Sequence, residues 1–136
     1  MGMNIKTHLL AHSPLLGTPV EVIDDKSATV KLVAIENMIV DEEGLVHGGF
    51  TFGLADYAAM LAVNDPLVVI GGAEIRFSAP VKRGDIMIAE ATVVEKFKRK
   101  RVVDVIVKVD KKTVLSGKLT CYVLKKHVFS EKVRGV

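Results

Sequence analysis

The sequence predicts an α+β domain in which a curved antiparallel sheet of five to six strands wraps around one long central helix. Three observations predict this fold class. The segment Gly48 to Asn64 is almost wholly apolar, small or aromatic, as in a buried helix. Two strand-like runs precede this segment and four follow it, with connections too short for parallel pairing. Because one sheet must cover an apolar helix, the sheet is expected to curl around it.

The strands are predicted from alternation of apolar and polar residues between turn signals. In the fifth run, for example, Val103, Val105 and Val107 share one face with Val109. The predicted strands are Val20–Asp24, Ala28–Glu36, Leu67–Ala79, Asp85–Lys96, Arg101–Asp110 and Thr113–Leu124.

The remaining segments are short, so one domain over residues 1–136 is expected, with its core in residues 15–124. Thr7 to Leu16 is predicted as a short N-terminal helix or turn, and Asn37 to Val46 as a polar loop. The charged tail Lys125–Val136 is expected to fray.

Composition limits the location and the redox chemistry of the protein. Hydrophobic residues make up 49% of the chain, yet no run of about 18 apolar residues avoids charge, so no membrane span is expected. The N-terminus does not follow the signal-peptide pattern. The single cysteine, Cys121, fits a reducing cytosol and is expected to be a buried small hydrophobe rather than a nucleophile. These observations predict a cytoplasmic protein.

Asp56 is the only charged residue between Gly48 and Asn64. It lies seven residues after Gly49, about two helical turns, so both residues share one stripe of the helix. A carboxylate on such a stripe is costly unless it is paired, hydrogen-bonded or protonated. Either buried donors from the backbone, Tyr57 or a neighbouring chain satisfy Asp56, or it performs chemistry in a cleft.

The two glycines and the histidine at the helix start also allow two interpretations. Gly48 and Gly49 permit close approach of helix and sheet, or they leave free N–H groups that suit an anion. His47 caps the helix or positions other groups. No metal site is expected, because His8 and His12, four residues apart, have no further ligands nearby.

The order of elements resembles the hotdog fold, and two motifs resemble the PaaI-like acyl-CoA thioesterases. The first motif is His47-Gly48-Gly49 with Leu54-Ala55-Asp56, and the second is the segment Arg76–Asp85. The resemblance covers roughly Leu15 to Leu124. Two positions depart from it. Many members carry Asn where this chain has Asp41, and a small polar residue where it has Tyr57.

The resemblance implies hydrolysis of an acyl-CoA thioester to a free acid and CoA, with no other cofactor. The Gly48 N–H would hold the carbonyl oxygen, and His47 would complete the catalytic set with Asp56 as general base or as nucleophile. Gly49 and Asp41 would contact substrate. Because Asp56 lies about 10 Å along the helix from Gly49, the family pairs the two across protomers.

An assembly is also expected from the helix itself. It is apolar almost all round, so one sheet face cannot cover it, and a second copy should cover the rest. These arguments predict a dimer or tetramer with a shared site.

Basic residues are concentrated in two places. Lys96–Arg101 carries five positive charges in six residues, and Lys82 with Arg83 adds two more. Three interpretations are open: a solvated hairpin tip that discourages edge pairing, a site for a phosphate-bearing small ligand, or a nucleic-acid contact. No nucleic-acid motif supports the third, and no membrane partner is expected. The candidates for CoA phosphates are Lys82, Arg83, Lys98, Arg99 and Lys100.

Two other functions compatible with the fold remain open. The protein could be a non-catalytic acyl-CoA-binding regulator, although no DNA-binding segment accompanies the domain, or a hotdog hydratase or dehydratase. The acyl group cannot be read from the sequence, because the pocket would be lined by scattered apolar residues of two chains.

Overall fold

The computed structural model describes residues 3–11 and 13–130. Over these residues it contains one α-helix, six strands and two short 3₁₀ turns. The strands are β1 (Thr18–Ile23), β2 (Ser27–Val33), β3 (Val68–Phe77), β4 (Ile86–Phe97), β5 (Lys100–Val109) and β6 (Lys112–Val123). The helix is α1 (Gly48–Val63), and the 3₁₀ turns are Glu36–Met38 and Val128–Ser130.

The six strands form one sheet in the order β1-β2-β4-β5-β6-β3, and each neighbouring pair is antiparallel. Helix α1 packs against the concave face, with contacts to every strand. This arrangement confirms the predicted α+β class, with a curved six-stranded antiparallel sheet around one helix.

The core lies between α1 and the inward-facing residues of the sheet. Val103, Val105 and Val107 of β5 are fully buried, as their alternation predicts, whereas Val109 is only partly buried. The side chains that meet them from α1 include Leu54 and Leu61, also fully buried. Burial of such a side chain contributes about 1.5–3 kcal/mol relative to leaving it exposed.

The prediction for Thr7 to Leu16 left a short helix or a turn open, and the described residues of this segment form turns rather than a helix. His8 adopts a left-handed backbone with φ of 54°, and Pro14 cannot donate a helical hydrogen bond. The predicted strand Ala28–Glu36 also ends earlier, at Val33, because the 3₁₀ turn follows. His12 and residues 131–136 lie outside the described residues, so the fraying of the tail stays a prediction.

The N-terminal segment, residues 3–17 without residue 12, covers the face of α1 that the sheet leaves open. Ile5, Ala11, Leu15 and Leu16 pack against the core. Ten residues of α1 are buried within the single chain. The helix therefore does not need a second copy for most of its cover, because the chain's own N-terminal segment supplies it. The residues of α1 left partly open are Gly48, Gly49, Phe50, Phe52, Gly53 and Asp56.

Asn64, the residue after α1, fastens the N-terminal segment to the rest of the fold. Its side chain is buried, and its backbone is left-handed with φ of 54°. The Lys6 N–H donates to Asn64 Oδ1 at 2.8 Å, and Asn64 Nδ2 donates to the Asn4 carbonyl oxygen at 2.8 Å. Nδ2 also lies 3.1 Å from Asp24 Oδ1 in the β1–β2 turn. One amide thus joins three parts of the chain.

Candidate active site

The start of α1 is held on both sides by backbone hydrogen bonds. The Val46 N–H donates to the Val81 carbonyl oxygen, and the His47 N–H donates to that of Met38, both at 2.9 Å. The Val40 N–H donates to the Leu45 carbonyl oxygen at 2.8 Å. Because three segments meet here, the first turn of α1 has a fixed position and direction.

The first two amides of α1 are free. His47 occupies the N-cap position without a side-chain capping bond, and no described residue accepts from the N–H of Gly48 or Gly49. Gly48 borders a groove with a cavity volume of about 380 Å³. The positive end of the helix dipole therefore faces an accessible space, an arrangement that suits an oxyanion. The residues that line the groove are Val46, Gly48, Thr51 and the segment Phe77–Val81.

Both glycines also lie close to neighbouring side chains. A Cβ on Gly49 would lie 3.0 Å from His47 Nε2, and one on Gly48 would lie 3.3 Å from the Phe77 ring. The His47 ring folds back over the first turn and meets Phe50 edge-on, with centroids 6.1 Å apart. The two interpretations of the glycines, close approach of neighbouring groups and free N–H groups, are therefore compatible. The His47 ring lies over the helical turn that carries these amides.

Asp56 is half-buried in the middle of α1, and its Oδ1 is buried without a hydrogen-bond partner in the described part of the chain. Burial raises the pKa of the Asp56 carboxyl, and the nearby His8 imidazole partly offsets this rise. Neither a backbone N–H of the described residues nor Tyr57 donates to Oδ1. Residues 3–11 and 13–130 therefore leave this carboxylate oxygen unsatisfied.

Two titratable side chains beside Asp56 stay neutral at neutral pH. Cys121 on β6 is fully buried, and burial together with the Asp56 carboxylate raises the pKa of its thiol to about 12. This confirms Cys121 as a buried small side chain. Burial raises the pKa of the Tyr57 phenol as well.

His8 is a residue that the sequence analysis considered only as a metal ligand. Its Nδ1 lies 2.9 Å from Thr7 Oγ1, and its ring centroid lies 6.3 Å from that of Tyr57. Burial lowers the pKa of His8, and the Asp56 carboxylate opposes this shift. Nothing in the sequence near His8 links it to a residue 48 positions later, so no sequence signal pointed to this neighbourhood.

Gly49 and Asp56 lie on one helix, about 10 Å apart along its axis. One protomer therefore cannot bring both to a single carbonyl group. Among residues 3–11 and 13–130, no group of three or more His, Cys, Asp or Glu side chains is placed to hold a metal ion.

Asp41 closes the loop that leads into α1. Its Oδ1 accepts from the Glu43 N–H at 3.0 Å and from the Leu45 N–H at 3.2 Å. The residue is exposed and acts on the loop backbone in the described structure. Its contact with substrate stays a prediction.

The structure places the two basic groups at opposite ends of the sheet. Lys82 and Arg83 lie beside the loop before α1, where the Arg83 N–H donates to the Gly44 carbonyl oxygen at 2.8 Å. The Arg83 guanidinium donates to Glu36 Oε1 at 2.8 Å. Lys98 and Arg99 form the turn between β4 and β5, and Lys100 is the first residue of β5.

The distance between these groups is set by β4, whose 12 residues span roughly 35 Å. One protomer therefore cannot present both groups to the phosphates of one CoA. At the β4–β5 turn, the Lys98 ammonium lies 5.4 Å from the Phe97 ring centroid, and Arg99 donates to the Val123 carbonyl oxygen at 3.3 Å. These contacts also fit the solvated hairpin tip considered above.

Comparison with known proteins identifies the family. The sequence profile of the thioesterase superfamily matches residues 43–116, more than half of the chain. This span contains the His47–Asp56 motif and the segment Arg76–Asp85. The chain belongs to the thioesterase superfamily.

Solved structures agree with this assignment. An uncharacterized protein from Pyrococcus horikoshii is 52% identical, with a TM-score of 0.90 over 93% of this chain and 96% of that chain. The PaaI protein of E. coli, from the phenylacetic acid degradation operon, is 25% identical with a TM-score of 0.73, over 81% of this chain and 80% of that chain. The hotdog fold and the resemblance to PaaI-like thioesterases are confirmed.

Two curated relatives are longer proteins. Methylthioribose-1-phosphate isomerase of Aquifex aeolicus is 52% identical over 101 residues, 74% of this chain and 22% of that protein. Transcription factor FapR of Caldanaerobacter subterraneus is 30% identical over 97 residues, 71% of this chain and 48% of that protein. The chain thus spans about a fifth of the first relative and about half of the second. None of the helices in the described ranges is long and apolar enough to cross a membrane.

Proposed function

We propose that the protein hydrolyses an acyl-CoA thioester to a free acid and CoA, at sites shared between two protomers. One observation carries the proposal. A buried carboxylate oxygen of Asp56 and the glycine amides two turns before it on α1 all lack partners among the described residues. The superfamily assignment supports thioester chemistry. CoA is part of the substrate, and the proposal includes no metal or other cofactor.

The proposed mechanism assigns one role to the Gly48 amide and another to the Asp56 carboxylate. The Gly48 N–H of one protomer donates to the thioester carbonyl oxygen as negative charge develops there. Asp56 of the other protomer takes a proton from water, which attacks the carbonyl carbon. The C–S bond breaks, and the CoA thiolate leaves and is protonated. In the alternative route the Asp56 carboxylate attacks first, and water hydrolyses the resulting anhydride.

Electrostatics support Asp56 as the base. Burial raises the pKa of its carboxyl above the ordinary value. A general base is most efficient when its pKa approaches the working pH, so this shift improves proton abstraction. His47, folded over Gly49, would keep the first turn in place while the oxyanion forms.

A free sheet edge supports the assembly. Within the described part of the chain, strand β3 pairs with β6 alone, and residues 70–74 of β3 are exposed along the other edge. Its ten residues, Val68 to Phe77, contain no proline, which commonly protects an edge. We propose that a second copy of this chain pairs along the free edge of β3. The cytoplasmic location stays part of the proposal, supported by the free thiol of Cys121.

The direct test of function is a panel of straight, branched and aryl CoA thioesters with detection of the released thiol. Hydrolysis of one class is the expected result. Tight binding without turnover would favour a regulator instead, a candidate that the similarity to the transcription factor FapR supports. Loss of enoyl absorbance without thiol release would indicate a hydratase.

Complementation between two inactive variants tests the shared site. Gly48→Pro removes one N–H at the first helical position, where proline is well tolerated, and Asp56→Asn removes the carboxylate. Co-expressed in equal amounts, the two variants should regain about a quarter of wild-type kcat per protomer. One site in four then combines an intact Gly48 with an intact Asp56. Size-exclusion chromatography with light scattering should show a dimer or tetramer.

Gly48→Ala is the matched control for Gly48→Pro. Alanine adds the Cβ that meets the Phe77 ring at 3.3 Å but keeps the N–H, so it should retain far more activity than proline. Equal losses in both variants would mean that the effect is steric. An active, well-folded monomer, or mixtures no more active than their parents, would contradict the shared site.

Charge reversal at the basic groups tests phosphate recognition. Changing Lys98, Arg99 and Lys100 to glutamate should raise KM for a CoA thioester and spare a pantetheine analogue that lacks the nucleotide. The effect should fade as salt rises, because exposed charges are screened. The double variant Lys82→Glu/Arg83→Glu, at the other end of β4, is measured in the same way for comparison. Equal losses on both substrates would show that a set does not bind the nucleotide end.

A further inference from the structure

A row of exposed side chains lies beside the β4–β5 turn on the convex face of the sheet. Phe97 of β4 pairs with Lys100 of β5, and Lys100 pairs with Tyr122 of β6. Residues paired across neighbouring strands point to the same side of a sheet. Val103, three positions after Lys100, is buried on the concave side, so this row lies on the convex side. Phe97 is 63% exposed and Tyr122 is 39% exposed. These three residues form the rim row, in which two aromatic rings flank one lysine.

Both rings of the rim row have a defined setting. The Tyr122 ring lies against the backbone of Gly71 on β3, where an added Cβ would be 2.5 Å from Tyr122 Cε2 and 2.8 Å from Cδ2. The Lys98 ammonium lies 5.4 Å from the centroid of the Phe97 ring. The glycine therefore leaves room for the tyrosine ring, and the phenylalanine ring already has a cation on one face.

Several cations around the rim row have no carboxylate partner in the described part of the chain. Lys96 and Arg101, in the same hairpin, both pair with the Asp25 carboxylate, at 3.1 and 3.0 Å. The Arg99 carbonyl oxygen accepts from the Val123 N–H at 2.8 Å, which brings the chain after Val123 close to the turn. At this end of the sheet, the cations without an ion pair within the described ranges are Lys98, Arg99, Lys100, Lys125 and Lys126.

Aromatic rings beside unpaired cations suit a ligand that joins a planar base to phosphates. A base stacks on aromatic rings, and lysine and arginine bind the phosphate oxygens. The acyl-CoA of the proposed reaction carries such a group at the end opposite its thioester, an adenine nucleoside with a 3′-phosphate and a 5′-diphosphate. The adjacent row of the convex face, Glu95, Val102 and Thr120, has one carboxylate and no aromatic ring. The match to a nucleotide is therefore confined to the rim row.

The proposed pairing of two copies along β3 brings the rim row close to the reacting end of the substrate. In a shared site both α1 helices lie on the same side of one continuous sheet, so the two-fold axis is perpendicular to the sheet and the paired β3 strands run antiparallel. The end of β3 at Phe77, which borders the groove beside Gly48, then adjoins the start of β3 in the other copy. At that start Val69 pairs with Tyr122. The rim row of one protomer thus lies at the same end of the sheet as the groove of the other.

We propose that the rim row of one protomer binds the adenine of the acyl-CoA that reacts beside Gly48 of the other, with Lys98 and Arg99 on its phosphates. The inference rests on the proposed thioesterase function and on the pairing along β3. The adenine stacks on the face of Phe97 that Lys98 leaves open, and Tyr122 lies on the side from which the pantetheine arm arrives. Three strand spacings, about 14 Å, separate β3 from β4, a distance that an extended pantetheine arm covers. The rim row therefore sets a preference for CoA thioesters over thioesters that lack the nucleotide.

Two substitutions at Phe97 separate stacking from apolar contact. Phe97→Leu keeps an apolar side chain but removes the ring, and it should raise KM for a CoA thioester roughly 10-fold, as expected for the loss of one stacked base. KM for the matching pantetheine thioester should stay as in wild type. Phe97→Trp keeps an aromatic ring and should retain the wild-type preference for the CoA thioester. Because Phe97 is largely exposed, melting curves of both variants should coincide with that of wild type.

Adenosine 3′,5′-bisphosphate, which lacks the thioester and the arm, tests the site without any hydrolysis. Titration followed by NMR should shift the amide resonances of Lys100 and Tyr122, and Phe97→Leu should weaken the binding about as much as it raises KM. Charge reversal at Lys111 and Lys112, at the opposite end of β5, is the matched control and should leave the binding unchanged. A short single-stranded RNA is titrated in parallel, because the bases of a nucleic acid can stack on the same rings.

The outcomes separate this inference from the proposed function. An unchanged ratio of the two KM values in Phe97→Leu, or equal losses in Phe97→Leu and Phe97→Trp, would overturn the stacking. Absence of bisphosphate binding to the wild-type protein would overturn the site and leave the function intact. Bisphosphate binding that depends on Phe97, without hydrolysis of any thioester, would support the site and overturn the function. RNA binding that is tighter than bisphosphate binding and is lost in Phe97→Leu would overturn the assignment to CoA in favour of a nucleic-acid surface.

Discussion

Replacing Asp56 with asparagine is expected to lower kcat on the order of 10²-fold or more, the usual effect of removing a general base or a nucleophile. Asparagine keeps the size of the side chain but cannot take a proton from water. Binding of acyl-CoA should persist or tighten, because a carboxylate no longer has to be desolvated beside the thioester. Single-turnover rates and direct binding measurements on the same preparation would check both expectations.

The stability of Asp56→Asn separates catalysis from a structural role. Burial raises the pKa of Asp56, so ionisation of this group destabilises the folded chain as pH rises through the interval above its ordinary pKa. The substitution should therefore leave Tm unchanged at acid pH and raise it at neutral pH. A structural role predicts a lower Tm, with activity lost only through unfolding. Near-normal turnover in a stable variant would end the case for Asp56.

Gly117→Ala is expected to cause the largest loss of stability. Gly117 on β6 pairs with Ile75 of β3, and an added Cβ would overlap the Glu74 carbonyl oxygen and lie 2.7 Å from Ile75 Cα. Backbone atoms cannot rotate away as a side chain can, so β3 must separate from β6. A cost on the order of 3 kcal/mol follows from such overpacking, or roughly 10 °C in Tm for a domain of this size.

Gly72→Ala is the control for this prediction. Gly72 lies on β3, and a Cβ there would meet nothing closer than Thr120 Cβ at 4.0 Å. This variant should be neutral or slightly more stable, because alanine restricts the unfolded chain. Thermal melts of both variants check the pair. A Gly117→Ala protein with wild-type Tm would contradict the close approach of β3 and β6.

Much of the fold could be predicted because its signals are local. Helix α1 runs from Gly48 to Val63, one residue short of the predicted end, and alternation identified Val103, Val105 and Val107 as core residues. For the N-terminal segment the sequence left a short helix or a turn open, because its apolar runs are too short to decide between them. Its turns depend on contacts with α1 and Asn64, which local sequence does not reveal.

Within the site, only relations between residues that are close in sequence could be predicted. The motif from His47 to Asp56 placed the glycine amides and the carboxylate on one helix, since helical spacing is periodic. The separation of Arg83 from Lys98 depends on the course of β4, and the proximity of His8 to Asp56 depends on how the N-terminal segment folds back. Such relations between distant positions follow from tertiary structure and have no local pattern.

The attachment of the N-terminal segment at Asn64 has a consequence for thermal behaviour. The segment carries His8, yet between residues 3 and 8 its hydrogen bonds to the rest of the described chain run only to Asn64 and Asp24. Partial unfolding can therefore release it while the six-stranded sheet stays intact. Hydrogen exchange at the Lys6 amide would report this opening. The face of α1 that Ile5, Ala11, Leu15 and Leu16 cover would then open at temperatures below the melting of the sheet.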